Sequence, residues 1–229
     1  MKFNILETGA FQSALVEFEH GEELFSESGA MVRASGNVEM DVSTRSRGKS
    51  GIMGGLKRMI SGESFFVSTY KVGPGEKGEV GLAPVLPGEM KTISLDGSTT
   101  WVCSGGSFIA AGGDAVEMET RFQGFGNVFS GEGLFFLELS GVGDALVGGF
   151  GALHEIEVSG EFTLDTGHLI AYEKTLEYKI SKAASSLTQS FLSGEGFVMK
   201  FEGHGKLIVQ THDVTGFGKR LGPLLPERE

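Results

Sequence analysis

A chain of 229 residues that is 40% hydrophobic can bury one sizeable core, and an all-β fold of this length is commonly a single domain. The formal net charge of −11 repels polyanions, so the broad basic field that nucleic-acid binding draws on is excluded. A single cysteine rules out an intramolecular disulfide framework, and no apolar run reaches the roughly 20 residues that a membrane-spanning helix needs.

The first residues, Met1 to Ile5, carry neither a signal-peptide core nor an Arg-rich transit pattern, which predicts a cytoplasmic chain. Residues 1–28 read as two strands around Gly21-Glu22-Glu23. Phe11, Leu15 and Phe18 are their apolar anchors, and Glu17, Glu19 and Glu22 face water. A glycine then leads into Ala30-Met31-Val32, and an alternating piece follows over Asn37 to Val42.

Residues 43–60 break the β pattern. Arg45, Arg47, Lys49, Lys57 and Arg58 place five cations between Asp41 and Glu63 with no acid among them. Ile52, Met53, Leu56, Met59 and Ile60 fall on one face of a short helix that stops before Gly62. Two readings stand for this stretch. Either the apolar face covers the open end of a β core while the cations are solvated, or a basic amphipathic loop lies on an anionic membrane surface or an acidic protein partner.

Ser61-Gly62-Glu63-Ser64, Phe65-Phe66-Val67 and Gly73-Pro74-Gly75 then follow in order. The same order returns from Ser130 through Gly131, Glu132 and Phe135-Phe136 to Gly141-Val142-Gly143. It returns again from Ser193 through Gly194, Glu195 and Phe197-Val198 to Gly203-His204-Gly205. Gly106 and Gly167 open the two later apolar entries, and Ala115 to Glu119 and Thr175 to Ile180 repeat the alternating piece. Recurrence at roughly 60 to 70 residues predicts an all-β architecture of three internal repeats about a pseudo-threefold axis. The repeats span about 10–83, 88–151 and 152–213, share one core, and leave a tail over 214–229. Short helices are expected in the loops before Gly62 and Gly194; the matching slot of the second repeat shrinks to Phe122–Asn127. Ala83 to Gly88 and Gly148 to Gly151 read as crossing connections.

Candidate chemistry is sparse. Glu63, Glu132 and Glu195, brought together by pseudo-symmetry, could share protons or hold a metal; the plainer reading is that each Gly-Glu closes a connection and satisfies backbone N–H groups. The Gly-x-Gly pairs read as hairpin turns, because strands and not helices follow them. Cys103 lies in an alternating run and reads as a small buried side chain. His168 ends the Asp165-Thr166-Gly167 turn, where it either bonds backbone or touches a ligand. The five histidines form no ligand pair, and no nucleophile elbow or Walker loop is present. The expectation is therefore no catalytic residue, no metal and no cofactor. The tail around Leu221, Leu224 and Leu225 reads as an irregular strap across another repeat or subunit.

Gly54-Gly55-Leu56-Lys57-Arg58, Gly62 to Phe66, Gly131 to Leu134, Gly194 to Gly196 and Asp165 to Ala171 together resemble the altered inheritance of mitochondria family, over about Leu15 to His212. The resemblance implies a fold similar to the trp RNA-binding attenuation protein, a barrel or β-sandwich, with no established catalytic residues. In mitochondrial relatives it implies a role in inner-membrane organisation. RNA binding does not follow from a fold, and the ring of cations with stacking partners that it needs is missing. The expected function is a non-enzymatic scaffold or interaction protein that forms a homo-oligomer, with a small-molecule-binding module near the axis as the alternative.

Overall fold

The computed structural model describes residues 1–43, 67–123, 134–182 and 197–226. The first sequence segment forms β1 (Lys2–Leu6), β2 (Ser13–Glu19), β3 (Leu24–Glu27), β4 (Met31–Ala34), β5 (Val38–Ser43), β6 (Val67–Val72) and β7 (Lys77–Leu82). The second forms β8 (Met90–Asp96), β9 (Trp101–Ser104), β10 (Phe108–Gln123) and β11 (Leu134–Gly148), and the third forms β12 (Leu153–Asp165), β13 (Leu169–Glu173), β14 (Glu177–Lys182) and β15 (Phe197–Gln210). One α-helix among the described residues, α1 (Val214–Leu221), comes after β15.

Alternation sets the strand faces. In β2 the side chains of Ala14, Val16 and Phe18 are buried while Glu17 and Glu19 are exposed, as a period of two requires. Phe18 is buried as expected, but Phe11 is exposed and Leu15 only half-buried, so that anchor shifts to its neighbours Ala14 and Val16. The register explains the shift, since Ala14 and Val16 lie opposite Leu82 and Val80 on the core side of β7.

The strands form a mostly antiparallel β protein with two sheets. One sheet has the order β1-β2-β7-β4. The other follows the path β12-β15-β13-β9-β11-β10-β3-β6-β5, with β14 added to β15 and β8 to β11. A bulge recurs in the pairing. Met31 lies opposite Leu82 and Arg33 opposite Gly81; Phe108 lies opposite Val147 and Ala110 opposite Leu146; Leu169 lies opposite Val209 and Ala171 opposite Ile208. Val32, Ile109 and Ile170 are thus each the extra residue of a bulge. The path among the described residues has two ends, β12 and β5, and strand pairing by itself does not establish the rotation axis expected from the sequence.

Two expectations change here. Gly73 to Gly75 is a turn, but Gly141 and Gly143 lie inside β11, and Gly203 and Gly205 lie inside β15. Glycines at φ +92° and +127°, Gly141 and Gly203, let one long strand bend from one partner to the next without interruption. The tail is helical and not irregular: the Asp213 carboxylate accepts from the N–H groups of Thr215 and Gly216 and so caps α1. Phe217 packs edge to face on Phe150 at 5.1 Å, while the side chains of Leu221, Leu224 and Leu225 remain exposed. The helices expected before Gly62 and Gly194 lie outside the described residues.

The two crossing connections meet. Gly88 and Gly151 form a parallel bridge, and a Cβ at Gly88 would stand 1.7 Å from the Gly149 carbonyl oxygen. Buried side chains gather in three clusters. The first joins the opening segment to Ile109, Ala110 and Leu146; the second and third join the middle segment to the last, through Ile170 and Ile208 and through Val102 and Phe136.

Candidate functional site

The cations and the Gly-Glu pairs singled out from the sequence fall on three hairpin connections. Arg45, Arg47, Lys49, Lys57, Arg58, Gly62 and Glu63 lie between β5 and β6, Gly131 and Glu132 between β10 and β11, and Gly194 and Glu195 between β14 and β15. All of them are outside the described residues. What the structure does place is the arms: β5 pairs β6, the far half of β10 pairs the near half of β11, and β14 pairs the near half of β15, each antiparallel.

A cavity of about 540 Å³ opens where the segments meet. Its apolar wall includes Val85, Phe135, Phe150 and Val214, and its polar groups come from Glu27, Ser104, Ser107 and Gln210. Ser104 Oγ donates to the Leu169 carbonyl at 2.6 Å, and Ser107 Oγ lies 2.9 Å from the Ile170 carbonyl. Gln210 accepts from the Phe150 N–H and donates to the Gly167 carbonyl, both at 2.8 Å. His168 Nδ1 sits 2.8 Å from the Gln210 carbonyl, so this imidazole bonds backbone. These groups spend their hydrogen-bonding capacity holding strand ends and turns together.

Glu27 is the exception in character. Burial at the cavity wall pushes its carboxyl above the ordinary carboxylate range. A raised native value means that the ionised form costs stability; the cost is absent below the unfolded value and grows as pH rises through the native one. Glu27→Gln is therefore expected to stabilise the chain at neutral pH, by under about 1 kcal/mol after allowance for solvent screening. The gain should vanish in urea titrations run below about pH 4.

Other polar clusters are structural ties. The nearly buried Glu138 carboxylate meets Lys174 Nζ at 2.9 Å and Arg121 Nε at 3.0 Å, which fastens β11 to the β13–β14 turn and to β10. Glu155 is held below the usual carboxylate range by Lys206 and Lys91, at 3.0 Å and 3.1 Å. A hollow of about 780 Å³ beside the N-terminus is lined by the ion-paired, exposed Glu19 and Lys77. Burial pushes the Cys103 thiol up to about 12, which suits the packing role read from its alternating run. No group of three His, Cys, Asp or Glu side chains suited to a metal occurs among the described residues. No helix among them is long and apolar enough to cross a membrane.

Sequence reasoning passed over Glu27 and Gln210. Gln210 carried a signal, because it ends the apolar run Leu207-Ile208-Val209 with a polar side chain at a buried position.

Comparison with known proteins agrees with this architecture. An uncharacterised protein of Streptococcus pyogenes serotype M6 is 32% identical over 99% of this chain and 92% of its own length. The crystal structure of a structural-genomics target from Streptococcus pyogenes matches with a TM-score of 0.81 at 29% identity, over 98% of this chain and 99% of that one. The family model described as mitochondrial biogenesis AIM24 matches residues 3–212, from β1 to the end of β15 and the residues before α1, and the chain accordingly belongs to the AIM24 family.

Proposed function

We propose that this protein is a non-enzymatic scaffold that docks on an anionic membrane surface through its Arg45–Ile60 connection and works as an assembly of copies. The supporting observation is one of charge placement: a chain of net charge −11 gathers Arg45, Arg47, Lys49, Lys57 and Arg58 in the single connection between β5 and β6. Each cation near an anionic leaflet contributes about 1 kcal/mol, so a cluster of this size holds a protein at a membrane even against an acidic body.

Liposome flotation tests the reading. Wild-type protein should float with vesicles containing phosphatidylserine and stay behind with phosphatidylcholine alone. The double variant Lys57→Glu, Arg58→Glu should lose binding by roughly 100-fold or more, two charge reversals being worth several kcal/mol. Equal flotation with both lipids, or unchanged flotation of the variant, would count against membrane docking. A small-molecule-binding module is the second reading, favoured by a cavity whose 540 Å³ lies in the usual range for ligand pockets. It predicts that one compound from a metabolite screen raises the melting temperature by several degrees.

A further inference from the structure

Two joints inside the chain are built alike. β3 lies antiparallel to β10 with Ser26 opposite Ala110 and Phe25 opposite Ala111; β9 lies antiparallel to β13 with Cys103 opposite Ala171 and Val102 opposite Tyr172. On their other edges, β3 sets Leu24 opposite Tyr70 of β6, and β9 sets Trp101 opposite Leu139 of β11. The third strand in this register is the far half of β12, where Phe162 lies opposite Phe201 and Leu164 opposite Met199 of β15. Its outer edge pairs with no strand among the described residues. β4, which carries the same bulge as the starts of β10 and β13, likewise pairs only with β7.

Burial marks the same gap. Phe108 and Ile109 at the first joint are 1% exposed, and Leu169 and Ile170 at the second are 4% and 2% exposed. Their counterparts in β4, Met31 and Val32, are 39% and 66% exposed. The chain leaving each segment also crosses the next joint. Pro84, after β7, flanks Gly148 together with Ile109, and a Cβ on Gly149, after β11, would lie 3.1 Å from Ile170 Cδ1. The segment leaving β15 runs into α1, whose Phe217 packs on Phe150 at 5.1 Å, while Val214, Leu221 and, just past the helix, Leu224 keep exposed side chains. Two open surfaces, the bulged strand β4 and the outer edge of β12 together with the exposed Leu221 of α1, therefore correspond to the two halves of one missing joint.

We propose that copies of this chain join head to tail at that joint. Phe162–Asp165 of one copy pairs antiparallel with Met31–Ala34 of the next, and α1 of the first covers Val32 of the second. The internal joints fix the register: Thr163 faces Ala34 and Leu164 faces Arg33, whose guanidinium, paired with Glu79 of its own chain, then lies near Asp165 of the incoming strand. The contact is strand addition to an open edge. It joins two different surfaces, so it propagates until it closes into a ring or runs on as a filament. This rests on the scaffold reading only for its statement that copies assemble.

The test uses full-length chains. Wild type should sediment as a species larger than a monomer at tens of micromolar. Val32→Asp and Leu221→Asp, each at an exposed position, should each weaken association at least about tenfold. Mixed together, the two variants should form a one-to-one dimer and stop, because each keeps the one surface that the other lacks. Independently, Thr163→Cys chains mixed with Ala34→Cys chains should cross-link under mild oxidation, while neither does so alone. A monomeric wild type, variants that sediment like wild type, or cysteine chains that cross-link equally well alone would overturn the proposal. A monomeric wild type would remove the assembly half of the proposed function and leave membrane docking, read by flotation, standing, so joint and docking fail separately.

Discussion

Phe201→Ala is expected to lower stability by about 4 kcal/mol, measured as a shift of the urea midpoint at unchanged slope. Phe201 is fully buried and sits 5.4 Å from the Tyr172 ring and 5.7 Å from the Tyr178 ring. Phe136 closes the group at 6.4 Å from Tyr172 and 6.1 Å from Tyr178. Four aromatic rings from β11, β13, β14 and β15 thus meet at one point, and β15 also pairs with β12 and β14 beside Phe201. Truncation removes both the buried area and the edge contacts, and the hydrogen-bonded strands around the ring cannot collapse into the space. Phe201→Leu keeps most of the volume and should cost about half as much. Equal losses for the leucine and alanine variants would show that packing around the ring is not what holds the middle segment to the last.

Gly141→Ala carries the second large effect, at least about 3 kcal/mol or outright failure to fold. At φ +92° an L side chain is strained, and a Cβ here would stand 1.8 Å from the Ala115 carbonyl oxygen. That oxygen belongs to β10 just past its register shift between Gly112 and Ala115. The strands would have to separate across the middle of the hairpin. Gly160→Ala provides the contrast: its φ is +100°, but nothing lies within 4 Å of the new methyl. It should pay backbone strain alone, about 1–2 kcal/mol. If thermal melts place the two variants together, backbone approach at Gly141 is not the reason for its glycine.

Several features were legible before any coordinates. Alternating runs marked β5, the far half of β10 and β14, because a half-buried strand writes its period of two directly into the chain. The family was legible too, in short motifs that recur in order. Other features depended on partners distant in sequence. Gly141 to Gly143 reads locally as a turn, yet it continues one strand, since β8 pairs with β11 beyond it and β10 pairs with it on both sides. α1 was hidden by Gly216 and Gly218, which weaken a helix, and its start is set by the Asp213 carboxylate.

The candidate site divides the same way. Five cations between Asp41 and Glu63 are a property of the chain alone, and no fold is needed to see them. That Ser26 faces Ala110 and Cys103 faces Ala171, while Val32 of β4 is left in water, was decided only when strands far apart in the chain came together. Local pattern dictates which side of a strand turns inward; the neighbour it lies against is settled by the competition among all edges for backbone hydrogen bonds and burial.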